Sequence, residues 1–236
     1  MKKRFTFTFI LFSILFFYGC YDASNISTIM APENLTGTEN TTQITNGRFF
    51  TTSSLNMLDP NGFTSNNYIY EIVKNPDGNY SKVEIAVGDF FGTPCFFSGL
   101  TSFKNKLYAA CSVFQTIEIP GIPVPMSLPV LPILFQIDME KDSADPTRIQ
   151  KAMLPNHAVI LANGMAFDKN GNLYISNTYA PAANAFGISE AAIIKVTIIN
   201  TKIFTVSEEN WLSVEKGYNF PNGIQIYRNK MYFVSD

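Results

Sequence analysis

Gly99-Leu-Thr-Ser-Phe-Lys-Asn-Lys-Leu-Tyr-Ala-Ala-Cys-Ser112 aligns without a gap on Gly223-Ile-Gln-Ile-Tyr-Arg-Asn-Lys-Met-Tyr-Phe-Val-Ser-Asp236. Gly164-Met-Ala-Phe-Asp-Lys-Asn-Gly-Asn-Leu-Tyr-Ile-Ser-Asn177 repeats the same unit with a turn one residue longer. Each copy reads as an apolar segment, a polar turn and a second apolar segment opening on Leu-Tyr or Met-Tyr, which is the pattern of a β-hairpin. Asn46-Gly-Arg-Phe-Phe-Thr-Thr-Ser-Ser54 supplies the second half of a fourth copy. A repeat found this way governs every later step of the reading.

The continuation repeats as well. About 20 to 27 residues after each pair comes a strand-like segment: Tyr68 to Lys74, Ile133 to Met139 and Ile193 to Ile199. Turns rich in Asn, Asp or Pro follow, and then Lys82 to Val87, Thr147 to Leu154 and Ile203 to Val206. Four antiparallel strands in a unit of roughly 60 residues match a β-propeller blade with long loops. The expectation is therefore an all-β chain: three four-stranded blades plus one hairpin, an incomplete ring, over residues 46–236. The segments at 98–103, 163–168 and 222–227 should be innermost. A β-sandwich would not demand the same glycine-to-Leu-Tyr spacing three times.

Outside the repeat, Lys2, Lys3 and Arg4 precede the uncharged stretch Phe5 to Tyr18, and Gly19-Cys20 closes it. Those 14 residues fall short of the roughly 20 that a spanning helix needs but suit the apolar region of an export signal. Glycine directly before cysteine at that point resembles the lipobox of bacterial lipoproteins, with Phe17 and Tyr18 departing from the usual residues. The resemblance implies removal of residues 1–19, lipidation at Cys20, and a protein exported to the bacterial cell envelope and lipid-anchored to a membrane, at the outer membrane or the periplasmic face. Residues 20–45 are rich in Ser, Thr and Asn and read as a tether in which the first blade could begin.

Removing residues 1–19 leaves 14 basic against 19 acidic side chains. That balance excludes a nucleic-acid partner. The partners that remain are the membrane, through the anchor, and a small-molecule or protein ligand.

Ala162-Asn-Gly-Met-Ala-Phe-Asp and Pro221-Asn-Gly-Ile-Gln-Ile-Tyr, each leading into its hairpin, resemble the gluconolactonase/regucalcin-like propellers of the calcium-dependent phosphotriesterase superfamily. The resemblance implies six blades at full length and one divalent cation, often calcium, on the axis. Carried over by position, it puts Glu39 and Asn222 at the metal and Asn163 and Ser98 at the substrate. The aspartate that the family takes from its fifth blade would fall beyond Asp236. Calcium takes six to eight hard oxygen ligands, and would polarise a lactone or ester carbonyl. Two readings stay open: a non-catalytic module binding a ligand or partner at the propeller mouth, or a metal-dependent lactonase or esterase. Asn-Gly at the entry to an inner strand also has a purely structural reading. No nucleophile elbow, His-Glu-x-x-His, Cys-x-x-Cys or phosphate loop occurs.

His157, the single histidine, falls in a loop before the third inner strand. Solvation in a turn is its plain reading. An export context permits disulfides, but register argues against Cys95–Cys111. With Lys104-Asn105 as the turn, Cys111 faces Ser98, and Cys95 lies roughly 10 Å further on. A bulge would change that. Three long insertions, Leu55 to Asn67, Thr116 to Pro132 and Thr178 to Ala191, fall between second and third strands. The middle one is apolar and proline-rich. It is expected either as an extended loop lidding the mouth or as a longer hairpin on a neighbouring blade.

Overall fold

The computed structural model describes residues 40–53, 67–117, 126–185, 187–200, 204–214 and 221–234. The chain is all-β, and each successive pair of strands within a sheet is antiparallel. The first sheet is β1 (Thr41–Gln43), β2 (Phe49–Ser53), β3 (Tyr68–Lys74) and β4 (Tyr80–Val87). A short ribbon follows, β5 (Asp89–Phe90) and β6 (Thr93–Pro94). The second sheet is β7 (Phe96–Phe103), β8 (Lys106–Ile117), β9 (Met126–Asp138) and β10 (Ile149–Met153). The third is β11 (Ala162–Phe167), β12 (Asn172–Asn177), β13 (Ala191–Asn200) and β14 (Thr205–Ser213), with a short helix α1 (Ala180–Ala185) before β13. A last hairpin pairs β15 (Ile224–Tyr227) with β16 (Lys230–Phe233).

All three hairpins of the sequence repeat are present: β7–β8, β11–β12 and β15–β16. The first sheet starts earlier than residue 46, because Thr41–Gln43 of the Ser/Thr/Asn-rich tract pairs with Phe49–Thr51.

Alternation along the strands decides how the sheets stack. In β8, Leu107, Ala109 and Cys111 join a core with Phe50, Ile69 and Ala86 of the first sheet. Tyr108 and Ala110 point the other way, into a core with Met165, Leu173, Ile175 and Ile194 of the third sheet. In β9, Ile133, Phe135 and Ile137 follow the first set and Leu134 the second. The middle sheet is thus buried on both faces, which is why its strands read as nearly unbroken apolar runs. Each large side chain taken fully out of water there contributes about 1.5–3 kcal/mol.

The first strands lie side by side in chain order. β7 packs on β1 and β2, β11 on β7, and β15 on β11. The repeat glycines sit at these contacts. A Cβ on Gly99 would lie 2.6 Å from the sulfur of Met165 and 3.0 Å from the Cβ of Ala162. On Gly164 it would lie 2.3 Å from the backbone nitrogen of Ile224 and 2.8 Å from the carbonyl oxygen of Asn222. Glycine recurs because the next first strand leaves no room for a side chain.

One expectation is corrected, and one alternative is decided. Cys95 and Cys111 form a disulfide, with their Cα atoms 5.6 Å apart. The register slips between Phe97 and Gly99, so Cys111 faces Phe97 rather than Ser98. The bulge leaves Cys95 two residues rather than three from the residue opposite Cys111. Strand β8 has a register shift of its own between Cys111 and Val113, so the offset is shorter than an uninterrupted register gives. Of the two readings of the apolar insertion at 116–132, the described flanks agree with the longer hairpin. Its flanks continue β8 and β9 as a long hairpin, pairing Val113 with Val130 and Ile117 with Met126. Prolines fit there because β10 pairs β9 only from Ile133 onward, so Pro129 and Pro132 lie where no ladder N–H is needed. Their carbonyls accept hydrogen bonds from the N–H groups of Ile160 and Leu154 at 3.2 and 3.0 Å. The tip, 118–125, lies outside the described residues, as does most of the first insertion, 54–66. The third insertion contains α1, whose buried face is Ala180 and Ala183.

Candidate functional site

Hydrogen bonds link Asn40, Ser98, Ala162, Gly164, Ser176 and Asn222 in a row across adjacent sheets, and Asn163 lies between two of the linked residues. Asn40 donates through its side-chain amide to the carbonyl of Ser98 at 2.8 Å. The hydroxyl of Ser98 accepts the backbone N–H of Ala162 at 3.1 Å, next to Asn163. The hydroxyl of Ser176 accepts the N–H of Gly164 at 2.7 Å and donates to the carbonyl of Asn222. Ser98 lies at one bulge, and Asn163 and Gly164 lie at a second, between Ala162 and Met165. Bulges re-aim side chains at the ends of paired strands, and here both fall at the repeat glycine.

The four positions differ in what they leave free. Ser98 is 1 % exposed and its polar atoms serve the row. Asn163 is half-buried and Asn222 exposed. The side chains of both make no hydrogen bond among the described residues. Glu39 and Cys20 lie outside the described residues. The first sheet contributes Asn40 to the row, a residue that the sequence reading passed over in favour of its neighbour.

These donors can be tested against the expected cation. Two neutral amides and one engaged hydroxyl fall short of the six to eight oxygens, some of them charged, that calcium takes. Among the described residues no group of three or more His, Cys, Asp or Glu side chains could hold a metal ion. The row as described suits hydrogen bonding to a polar ligand.

A second polar cluster lies in the loop between β10 and β11. His157 is buried, not solvated, and its Nδ1 is 2.8 Å from Oε2 of Glu190. The other oxygen of Glu190 accepts the N–H groups of Ala158 and Val159 at 2.7 and 2.9 Å. Glu208 of β14 lies on the opposite side of the ring, Oε2 being 3.6 Å from Nε2. Burial pushes the Glu208 carboxyl above the usual carboxylate range, against the N–H of Asn156 and the charge of His157. Nothing local marked Glu190 or Glu208. They are 33 and 51 residues from the histidine, and only the packing of sheet on loop brings them to it. The same loop borders a shallow depression of about 440 Å³ lined by Gln115, Val130, Leu131, Met153, Leu154 and His157, among others.

Elsewhere, Tyr108 donates to Gln136 at 3.1 Å between the second and third sheets. Burial, with a smaller effect of the Asp138 charge, raises its hydroxyl to about 12. It is a satisfied core group.

Compared with known protein families and with curated protein sequences, the chain matches none.

Proposed function

We propose that this is an exported protein, lipid-anchored at Cys20, whose sheets are blades of a β-propeller and which binds a ligand or partner at the mouth where the first strands begin. The observation that carries the reading is the row from Asn40 through Ser98 and Asn163 to Asn222. Three successive hairpins contribute the residue before the repeat glycine to it, Ser98, Asn163 and Asn222, and the amides of the last two are free. That is the arrangement by which a small number of placed polar groups orient a ligand. The stacking of β1, β7, β11 and β15 in chain order supports blades rather than a two-layer sandwich.

The second reading is a divalent-metal-dependent lactonase or esterase, for which Asn163 and Asn222 are the candidate neutral ligands and Glu39 the candidate carboxylate. Photo-crosslinking in cells separates the two. A benzophenone amino acid at Asn163 or Asn222 should capture a discrete adduct that the same group at Lys74, exposed on β3, does not. Equal labelling at all three positions, or none, sinks the binding-module reading. Lactone hydrolysis abolished by a chelator and by Asn222→Ala would transfer the site to the hydrolase. Membrane fractionation of Cys20→Ala tests the anchor: the protein should leave the membrane fraction.

A further inference from the structure

His157 is held between two carboxylates in a place nearly closed to water. The side chains of His157 and Glu190 are each 1 % exposed, and that of Glu208 is 2 % exposed. One oxygen of Glu190 accepts two backbone N–H groups and the other lies 2.8 Å from Nδ1. A carboxylate oxygen accepts, and we assign the hydrogen of that contact to Nδ1. The other nitrogen, Nε2, has no hydrogen-bond partner. It faces Glu208 Oε2, which itself accepts the N–H of Asn156 at 3.1 Å.

The contents of that gap follow from charge. With a bare Nε2 and an ionised Glu208, a lone pair would face a carboxylate oxygen, and two buried negative charges would share no cation. Such an arrangement is costly in a low-dielectric site. The groups that face the ring are Glu190 at the entry to β13, Glu208 on β14 and the loop's own N–H groups. No lysine or arginine is paired with either carboxylate among the described residues. A metal ion between Nε2 and Glu208 would have two protein ligands, against the three or four of zinc sites. A proton needs only the two. The raised affinity of Glu208 for a proton, set first by its burial, agrees.

We propose that the gap between His157 Nε2 and Glu208 holds one proton at neutral pH, so that Glu190–His157–Glu208 is a proton-operated clasp fastening the 154–159 loop to the third sheet. Carried on Nε2, the proton places a positive charge 3.6 Å from Glu208 Oε2, an ion-pair distance rather than a hydrogen bond, and one net negative charge is removed. The clasp acts on the rim of the depression, because Leu154, Pro155, His157 and Ala158 line it. Loss of the proton sets Nε2 against an ionised Glu208 and loosens that rim.

The sign is set by the raised affinity. A group that binds its proton more tightly folded than unfolded contributes fully at low pH and loses that contribution as pH rises. His157 is the single histidine, so its ring nitrogens report without ambiguity. Nitrogen-15 spectra of the full chain should show one proton on each ring nitrogen at pH 7. Raising the pH should strip Nε2 while Tm falls by several degrees in step. Glu208→Gln removes the charge that faces Nε2 while an amide oxygen can still accept the Asn156 N–H, so its Tm should change much less over the same range. A bare Nε2 in the wild type at pH 7, or parallel Tm profiles for the two proteins, overturns the clasp. Should Glu208→Gln fail to fold, the wild-type spectra decide alone.

Discussion

A Cβ placed on Gly164 would lie 2.3 Å from the backbone nitrogen of Ile224, closer than any side chain can sit against a neighbouring main chain. The contact joins β11 to β15 at the position where the sequence repeat carries its glycine. The same glycine in the last copy, Gly223, meets nothing. Gly164→Ala should therefore cost about 1–3 kcal/mol or more through forced backbone displacement. Gly223→Ala should be close to neutral in this chain. Urea unfolding of the two variants gives the comparison; equal costs would mean that strand contact does not explain the repeat glycine.

Cys95–Cys111 closes a loop of 16 residues. A closure of that length restricts the unfolded chain by about 3 kcal/mol in the loop-entropy treatment. Cys95→Ser with Cys111→Ser, or reduction of the wild type, should lower Tm markedly while the far-ultraviolet spectrum keeps its β signature. Reduction that leaves Tm unchanged would show that the bond adds nothing to stability.

Acid should expose the contribution of Asp138. Burial alone would raise its carboxyl, but the Lys106 ammonium at 2.9 Å and the N–H of Glu140 outweigh it and hold the carboxyl below the usual range. A lowered folded value means stability that is present above the unfolded pKa and disappears as pH falls through the folded one. Lys106→Met should flatten that part of the acid limb below about pH 4. Identical acid profiles for variant and wild type would remove Asp138 from the account.

Phe91 is 92 % exposed and takes φ 51°, followed by Gly92 at φ 84°. With Phe90 paired to Thr93, these two residues form a hairpin turn with both central φ positive, where Asn-Gly is the favoured sequence. Phe91→Asn should stabilise the protein by about 1 kcal/mol or less, read as a small rise in the denaturation midpoint. A loss of stability would show that the ring packs more than its exposure indicates.

The sequence determined the hairpins, the order of the strands and the all-β class. Those follow from alternation, turn residues and spacing, which are properties of neighbouring residues. Tyr68–Lys74 was legible to the residue for that reason. Ser98, Asn163 and Asn222 came from the family resemblance, carried over to the positions before the repeat glycines. Their linkage, through Asn40, the Ala162 N–H and the Ser176 hydroxyl, comes from strands of adjacent sheets and needed the stacked structure.

Tertiary structure alone decided the rest. One bulged residue at Ser98 moved Cys111 opposite Phe97 and made the disulfide geometry available, and no local pattern announces a bulge of that kind. Pro129 and Pro132 argued against a strand only if that strand was flanked on both sides. Before Ile133 the β10 ladder has not begun, and the 154–160 segment beside the prolines gives N–H groups to their carbonyls and asks for none in return. His157 looked like a solvated loop residue because its partners, Glu190 and Glu208, are remote in the chain. A sheet laid against the loop turned it into the most deeply buried titratable cluster described. Local chemistry shapes strands and turns; burial and charge pairing depend on what packs across them.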